Sequence, residues 1–110
     1  MSNWYEDYLA AWNRRDADGV AAFFAEHTDF EDVGLAHRIS SRAAMRASAV
    51  EMFTQMADMR LDYVGGSEFG DSYYHEWTMH PLSMRGVSVG RRTNGLVTYN
   101  RDYWRMPTAH

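Results

Sequence analysis

The residues best suited to chemistry lie in one stretch, Gly95-Leu96-Val97-Thr98-Tyr99-Asn100-Arg101-Asp102-Tyr103-Trp104. Side chains alternate across a strand, so Thr98, Asn100, Asp102 and Trp104 share one face, and Val97, Tyr99, Arg101 and Tyr103 share the other. Strands accept Asp and Asn poorly. Two of them facing the same way among aromatics mark either a solvated face or a lined cavity. In a cavity the pair has a use. A carboxylate made more basic by apolar surroundings accepts a proton, and an amide N–H holds an oxygen that gains negative charge. Asp102 is thus the candidate general base, weighed against a surface acid paired with an arginine. Asn100 is the candidate donor, weighed against a buried amide satisfied by backbone.

Other side chains carry weaker signals. His75 and His80 lie an odd number of residues apart, so they face opposite sides of their strand and cannot both line one cavity. His75 falls with Tyr73, Trp77 and Met79; it is a candidate ligand contact or a satisfied core histidine. Trp12, Trp77, Trp104 and the series Met45, Met52, Met56 and Met59 read as core packing or as a pocket for a flat apolar ligand, with Met56 the methionine singled out as a contact. Asp32 is a second carboxylate that the fold could bring to the cavity rim, but it reads better as a solvated edge-strand acid. His27, His37 and His110 show no metal-ligand spacing with an acid, so no metal site is expected.

The chain of 110 residues is 45% hydrophobic and 15% aromatic, which leaves room for one domain, 1–110, with a real core. Fifteen acidic and eleven basic residues give a net charge of -4, every basic residue is an arginine, and none cluster as a phosphate track. Nucleic acid is not an expected partner. With no cysteine there is no disulfide framework and no thiolate metal site. No apolar run approaches the ~20 residues of a membrane helix, and Met1-Ser2-Asn3-Trp4 leads into a helical pattern rather than a signal sequence. A cytoplasmic protein without membrane contact is expected.

The elements that must position these residues follow in order. Asn3 and Glu6 form a capping-box pattern ahead of Tyr5, Tyr8, Leu9 and Trp12, which predicts a helix over 4–14. Asp16 or Asp18 caps a second helix through Val20, Phe23 and Phe24, ending near His27. Thr28 to Val33 reads as a short strand, broken at Gly34. Ser41 caps the longest helix, whose stripe Met45, Ala49, Met52, Phe53 and Met56 must be buried. On that reading Phe53→Ala costs about 3 to 5 kcal/mol. The period then changes to two over 61–64, 73–80, 85–92 and 96–105, with Gly65-Gly66, Pro81 and Asn94-Gly95 between them. Four antiparallel strands after three helices predict an α+β domain in which a curved antiparallel sheet wraps the helices. The tail from Met106 to His110 is expected to fray.

The Asn94-Gly95 turn allows two registers. A two-residue turn sets Val87 opposite Asp102, with Arg85 a diagonal neighbour. A glycine bulge slips the pairing and sets Gly86 opposite Asp102, Ser88 opposite Asn100 and Gly90 opposite Thr98, a polar trough with small walls. The bulged register is preferred. Its reverse face gathers Val87, Val89, Val97, Tyr99 and Tyr103, enough apolar surface to predict a homodimer through the outer sheet face.

The chain resembles the SnoaL-like polyketide cyclases of the NTF2-like, ketosteroid-isomerase-like superfamily. The pieces are Ala11-Trp12-Asn13-Arg14-Arg15-Asp16-Ala17-Asp18, Phe30-Glu31-Asp32, Glu76-Trp77-Thr78, Arg85-Gly86-Val87-Ser88-Val89 and the last strand from Asn94 to Trp104. The resemblance implies a conical α+β barrel with an internal cavity, oligomerisation, no cofactor, and Asp102 as general acid/base in an intramolecular aldol closure or an isomerisation. The ligand it implies is a small apolar or aromatic carbonyl compound, polyketide-like or steroid-like; the candidate contacts read from the residues are Trp104, Ser88, His75, Trp77, Trp12 and Met56. The sequence departs from the family in carrying Ser88 where the cyclases often have His or Asp, and in having only Pro81-Leu82-Ser83 between the third and fourth strands. Arg101-Asp102-Tyr103-Trp104 is also similar to limonene-epoxide-hydrolase relatives, whose Arg-x-Asp pair stands here as His75-Glu76-Trp77. Epoxide hydrolysis and a non-catalytic ligand-binding or dimerisation module are therefore the alternatives.

Overall fold

The computed structural model describes residues 3–107. Its elements run α1 (Trp4–Asn13), α2 (Ala17–Ala21), β1 (Phe24–Asp32), β2 (His37–Ser41), α3 (Arg42–Gln55), β3 (Arg60–Phe69), β4 (Ser72–His80), β5 (Met84–Thr93) and β6 (Leu96–Arg105). One six-stranded sheet has the order β2-β1-β6-β5-β4-β3 and curves around the helices. β3 to β6 form an antiparallel meander. β1 pairs with β6 in parallel, so the sheet is mixed rather than wholly antiparallel.

Local chemistry explains the helix starts. Asn3 accepts from the Glu6 backbone N–H at 2.8 Å while Glu6 reaches back to the Asn3 N–H at 3.4 Å, which satisfies two amides that the first helical turn leaves orphaned. Asp16 caps α2 through Gly19 and Ser41 caps α3 through Ala44. The run Asn13-Arg14-Arg15-Asp16 is an anchor as well as a turn. Asn13 exchanges two hydrogen bonds with the Leu61 backbone, at 2.8 and 2.7 Å. Arg15, held at φ 61°, donates to the carbonyls of Ala57 and Met59 at 2.6 and 2.7 Å. α1 is thereby fixed to the start of β3, with Tyr5, Tyr8, Leu9 and Ala11 buried against the sheet.

Several expectations change. β3 does not stop at Val64 before Gly65-Gly66 but runs through both glycines to Phe69, with its pairing shifted between Tyr63 and Gly65. α2 ends at Ala21 rather than near His27, because Phe24, 2% exposed, already belongs to β1. β1 is not an edge: β2, unforeseen, covers its outer side and is the edge itself. α3 buries Met45 and Ala49 fully, but Met52, Phe53 and Met56 only in part, so Phe53 is no longer the position expected to cost most. Phe53 instead stacks edge-on against Trp12 at 5.6 Å beneath the Arg15 guanidinium.

The hairpin follows neither expected register. Asn94 and Gly95 both have positive φ, 54° and 80°, as a two-residue primed turn requires, and Thr93 pairs with Leu96. A bulge then falls at Thr98, since Arg92 pairs with Val97 but Arg91 with Tyr99. The extra residue lies on β6, so the pairing slips the opposite way from the expected bulge, and Ser88 stands opposite Asp102 with Gly90 opposite Asn100. The bulge also turns Val97 into the core, 2% exposed, and away from the outer face where alternation had put it.

Candidate active site

After Thr98 the alternation of β6 is regular, and Asn100, Asp102 and Trp104 point to the concave side. Asp102 Oδ1 accepts two hydrogen bonds, from Ser88 Oγ at 2.5 Å and from Asn100 Nδ2 at 2.8 Å. Among the described residues no donor reaches Oδ2. The Asp102 carboxyl is pushed up to about 6: burial raises it most, the bonds from Ser88 and Asn100 pull against that rise, and the Asp32 carboxylate adds to it. No arginine enters that balance; Arg85 is opposite Arg105.

Asp32 is the register partner of Asp102 on the parallel strand β1. It is not the solvated edge acid expected, because β2 flanks β1 and Trp104 leans across it: Trp104 Nε1 donates to Asp32 Oδ1 at 2.7 Å and the Leu35 N–H donates to the same oxygen at 3.1 Å. Gly34 lets the β1–β2 turn lie directly on that indole, since a Cβ there would run into its ring. Asp32→Asn should therefore lower the titration midpoint of Asp102, read by carbon NMR of the carboxyl. An unchanged midpoint would show that the two acids do not sense each other.

Both carboxylates open on a pocket of about 300 Å³ between the helices and the sheet. Its walls are apolar: Tyr5, Tyr8, Leu9 and Trp12 from α1, Phe30 and Ile39 from β1 and β2, Trp77 from β4, Trp104 from β6, and seven methionines, Met45, Met52, Met56, Met59, Met79, Met84 and Met106. Unbranched thioether side chains suit a wall that must adapt to its occupant. No arginine lines it, and Asp32, Asp102, His37 and Ser48 are among its polar lining residues.

Of the residues singled out in the sequence, Asp102, Trp104, Trp77, Trp12 and Met56 line this pocket. Asn100 and Ser88 are buried behind Asp102, 4% and 2% exposed. His75 is not at the pocket. It is 1% exposed and stacks on Tyr5, ring centroids 4.6 Å apart, so that Tyr5 stands between it and the cavity. Its ring nitrogens contact Tyr63 OH at 2.9 Å and Glu68 Oε2 at 2.5 Å, and burial pushes its pKa down while Glu68 pushes it up. It is the satisfied core histidine of the two readings. Sequence reasoning gave no role in the site to Tyr5 or Tyr73, and for Asp32 it preferred the solvated edge over the cavity rim. The signal for Tyr73 was available in Gly86-x-Ser88-x-Gly90: a Cβ at Gly86 would strike the Trp77 indole and one at Gly90 the Tyr73 phenol, so each glycine makes room for a β4 ring.

Among the described residues no group of three His, Cys, Asp or Glu side chains could hold a metal ion, and His110 lies outside them. No helix of the described residues is long and apolar enough to cross a membrane.

Residues 5–100 match the family model described as a SnoaL-like domain. The chain belongs to the SnoaL-like domain family. The matched segment holds Asp32, Ser88 and Asn100 and ends just before Asp102. No curated protein sequence gives a significant match. Among solved structures, this SnoaL-like domain is similar to a SnoaL-like protein of unknown function from Burkholderia thailandensis, at 14% identity and TM-score 0.82 over 93% of this chain and 92% of that one. It is similar to a protein of Catenulispora acidiphila with a ketosteroid isomerase-like fold, in complex with trimethylamine, at 13% identity and TM-score 0.82 over 94% and 85%. It is also similar to SalBIII, an epoxide hydrolase/cyclase-like enzyme of pyran ring formation in the polyether salinomycin, at 22% identity and TM-score 0.76 over 93% and 88%. These likenesses carry the fold, which is the NTF2-like, ketosteroid isomerase-like one.

Proposed function

We propose that this SnoaL-like domain is a cofactor-independent general acid/base enzyme that binds a small apolar carbonyl compound, polyketide-like or steroid-like, and catalyses its aldol cyclisation or isomerisation. The observation that carries this reading is the Asp102 carboxyl, committed through Oδ1 to two donors and free at Oδ2 toward an apolar pocket. Such a group takes a proton alpha to the carbonyl near neutrality and returns it. Asn100 donates to the carboxylate, so its part is to orient the base rather than to bind the enolate. Tyr8 and Trp12 line the same pocket, and with Trp12 donating toward the Tyr8 hydroxyl the Tyr8 O–H suits the developing enolate oxygen. With no guanidinium in the walls, a carboxylate- or phosphate-bearing substrate would be buried unpaired, which favours a neutral one.

The pH dependence of the rate tests this. On a carbonyl substrate, kcat/KM is expected to rise with pH and reach half its plateau near pH 6, as Asp102 loses its proton. A profile flat between pH 4.5 and 8 would remove Asp102 from the proton transfer.

A second reading is favoured by Asp32 alone. Two carboxyls on paired positions at one pocket suit the opening of an epoxide: one protonates the epoxide oxygen while the other takes the proton of the attacking hydroxyl or water. SalBIII makes that comparison apt. A substrate panel that turns over epoxides and no carbonyl compound would select it.

A homodimer through the outer sheet face belongs to the same proposal. Tyr103 and Tyr74 are 47% and 41% exposed there, beside Tyr99, while Arg101 and Arg38 tie the β1 side into ion pairs with Asp29 and Glu31. Light scattering at micromolar concentration is expected to give a dimer mass, and Tyr103→Glu a monomer mass. A monomer before substitution would contradict it.

A further inference from the structure

Two hydrogen-bond chains end on Asp102 Oδ1, and each begins at a buried tyrosine. In one, Tyr73 OH donates to Asn100 Oδ1 at 2.6 Å and Asn100 Nδ2 donates to Asp102 at 2.8 Å. In the other, the Tyr5 and Ser88 hydroxyl oxygens are 2.7 Å apart and Ser88 donates to Asp102 at 2.5 Å. Donor counting sets the direction of the second chain. An indole N–H only donates, so Trp77 gives its proton to Ser88 Oγ at 3.1 Å. The single hydroxyl proton of Ser88 goes to the carboxylate, and Tyr5 must therefore donate to Ser88 as well.

We propose that Tyr73 and Tyr5 are positioning residues that commit Oδ1 of Asp102 to fixed donors and thereby dedicate Oδ2 to the pocket. The proposal rests on Asp102 being the base. Tyr73 holds the carbonyl end of the Asn100 amide, so that the NH₂ end meets the carboxylate; a flipped amide would set oxygen against oxygen. Tyr5 polarises the Ser88 hydroxyl toward Asp102. When Oδ2 gains a proton, Oδ1 becomes the carbonyl oxygen of a carboxylic acid and still accepts both bonds, so the proton is taken up and returned without rearranging either chain. Burial pushes both phenols above their ordinary range, which keeps them donors throughout. The backbone leaves room for this: Gly90 stands opposite Asn100, and a Cβ there would meet the Tyr99 carbonyl oxygen first and lie 2.5 Å from the Tyr73 hydroxyl oxygen.

The test is the Asp102 carboxyl titration, followed by carbon NMR in selectively labelled protein. Donors to the charged form lower a carboxyl pKa, so Tyr73→Phe and Tyr5→Phe are each expected to raise the midpoint, by about 0.5 to 1 pH unit. Tyr63→Phe removes another phenol, one that bonds His75 outside both chains, and is expected to leave the midpoint in place. Should Tyr73→Phe not fold, 3-fluorotyrosine at position 73 keeps the shape, strengthens the donor and is expected to lower the midpoint. Unmoved midpoints in both chain variants, or an equal rise in Tyr63→Phe, would overturn the proposal. Failure of the base itself reads differently: turnover would then survive Asp102→Asn while the titration shifts remained.

Discussion

Asp102→Asn is expected to lower turnover on a carbonyl substrate by about 10²- to 10⁴-fold and, at the same time, to stabilise the fold at neutral pH. The loss follows from the missing base. The gain follows from where the charge sits. In the folded state the Asp102 carboxyl holds its proton up to about pH 6, because burial disfavours its charge, whereas in the unfolded chain it lets go near the ordinary ~3.9. Between those values the folded state binds more protons than the unfolded one, so stability falls as pH rises through that window and stays lowered above it. The charged carboxylate thus costs about 2 to 3 kcal/mol at pH 7. Asn carries no such cost and keeps an oxygen for Ser88 and Asn100 to donate to. His75 works in the opposite sense: burial lowers its pKa, so its contribution is lost as pH falls below its ordinary ~6.5. That contribution is common to both proteins and cancels in their difference. Urea melts at pH 4 and pH 7.5 should show the Asn variant no more stable at the lower pH and more stable at the higher. A variant less stable at both would mean that the carboxylate is not held against its own solvation.

Phe24→Ala should be the most damaging single core truncation, at about 3 to 5 kcal/mol. Phe24 is 2% exposed, opens β1 beside Val97 of β6, and meets Tyr8 and Phe30 edge-on at 5.7 and 5.8 Å. Arg42 donates to its carbonyl at 2.8 Å, joining α3 to the same point. Removing the ring opens a hole beneath the β1–β6 pair, which also carries Asp32 and Asp102. Domains of this size hold only about 5 to 15 kcal/mol, so a large share of stability would go. Denaturant melts giving a loss below about 1 kcal/mol would show that the helices and sheet do not meet there.

What the sequence revealed and what it hid divide by range. The capping box at Asn3 and Glu6, the Ser41 cap, and the strand periods from β4 to β6 are local signals, and the structure follows them, whereas Gly65-Gly66, which read as the end of β3, instead continues it past an irregularity at Val64 to Phe69. That Asn100, Asp102 and Trp104 share one face was also legible, because period-two alternation within β6 needs no partner; that this face is the concave one was not. Partners were not legible. His37-Arg38-Ile39-Ser40-Ser41 offers a single buried side chain, Ile39, so no alternation announced β2, and without β2 the acid at Asp32 read as an edge. Phe23-Phe24 continued a helical pattern until the core claimed Phe24 for a strand. The bulge at Thr98 is one unpaired residue, yet it moved Val97 from the outer face to the core and set Ser88 rather than Gly86 against Asp102. His75 had the right face but the wrong neighbour, since only the packing of α1 shows that Tyr5 fills the space between it and the pocket.

The most direct test of the account is the titration of the Asp102 side-chain carboxyl in the unmodified protein, followed by carbon NMR from pH 3 to pH 8. A midpoint near 6 is predicted, from a carboxyl desolvated at an apolar pocket and suited to proton transfer. A midpoint at or below the ordinary ~3.9 would mean a solvated, well-paired carboxylate, contradict the general-base reading, and leave a pocket that binds without catalysing.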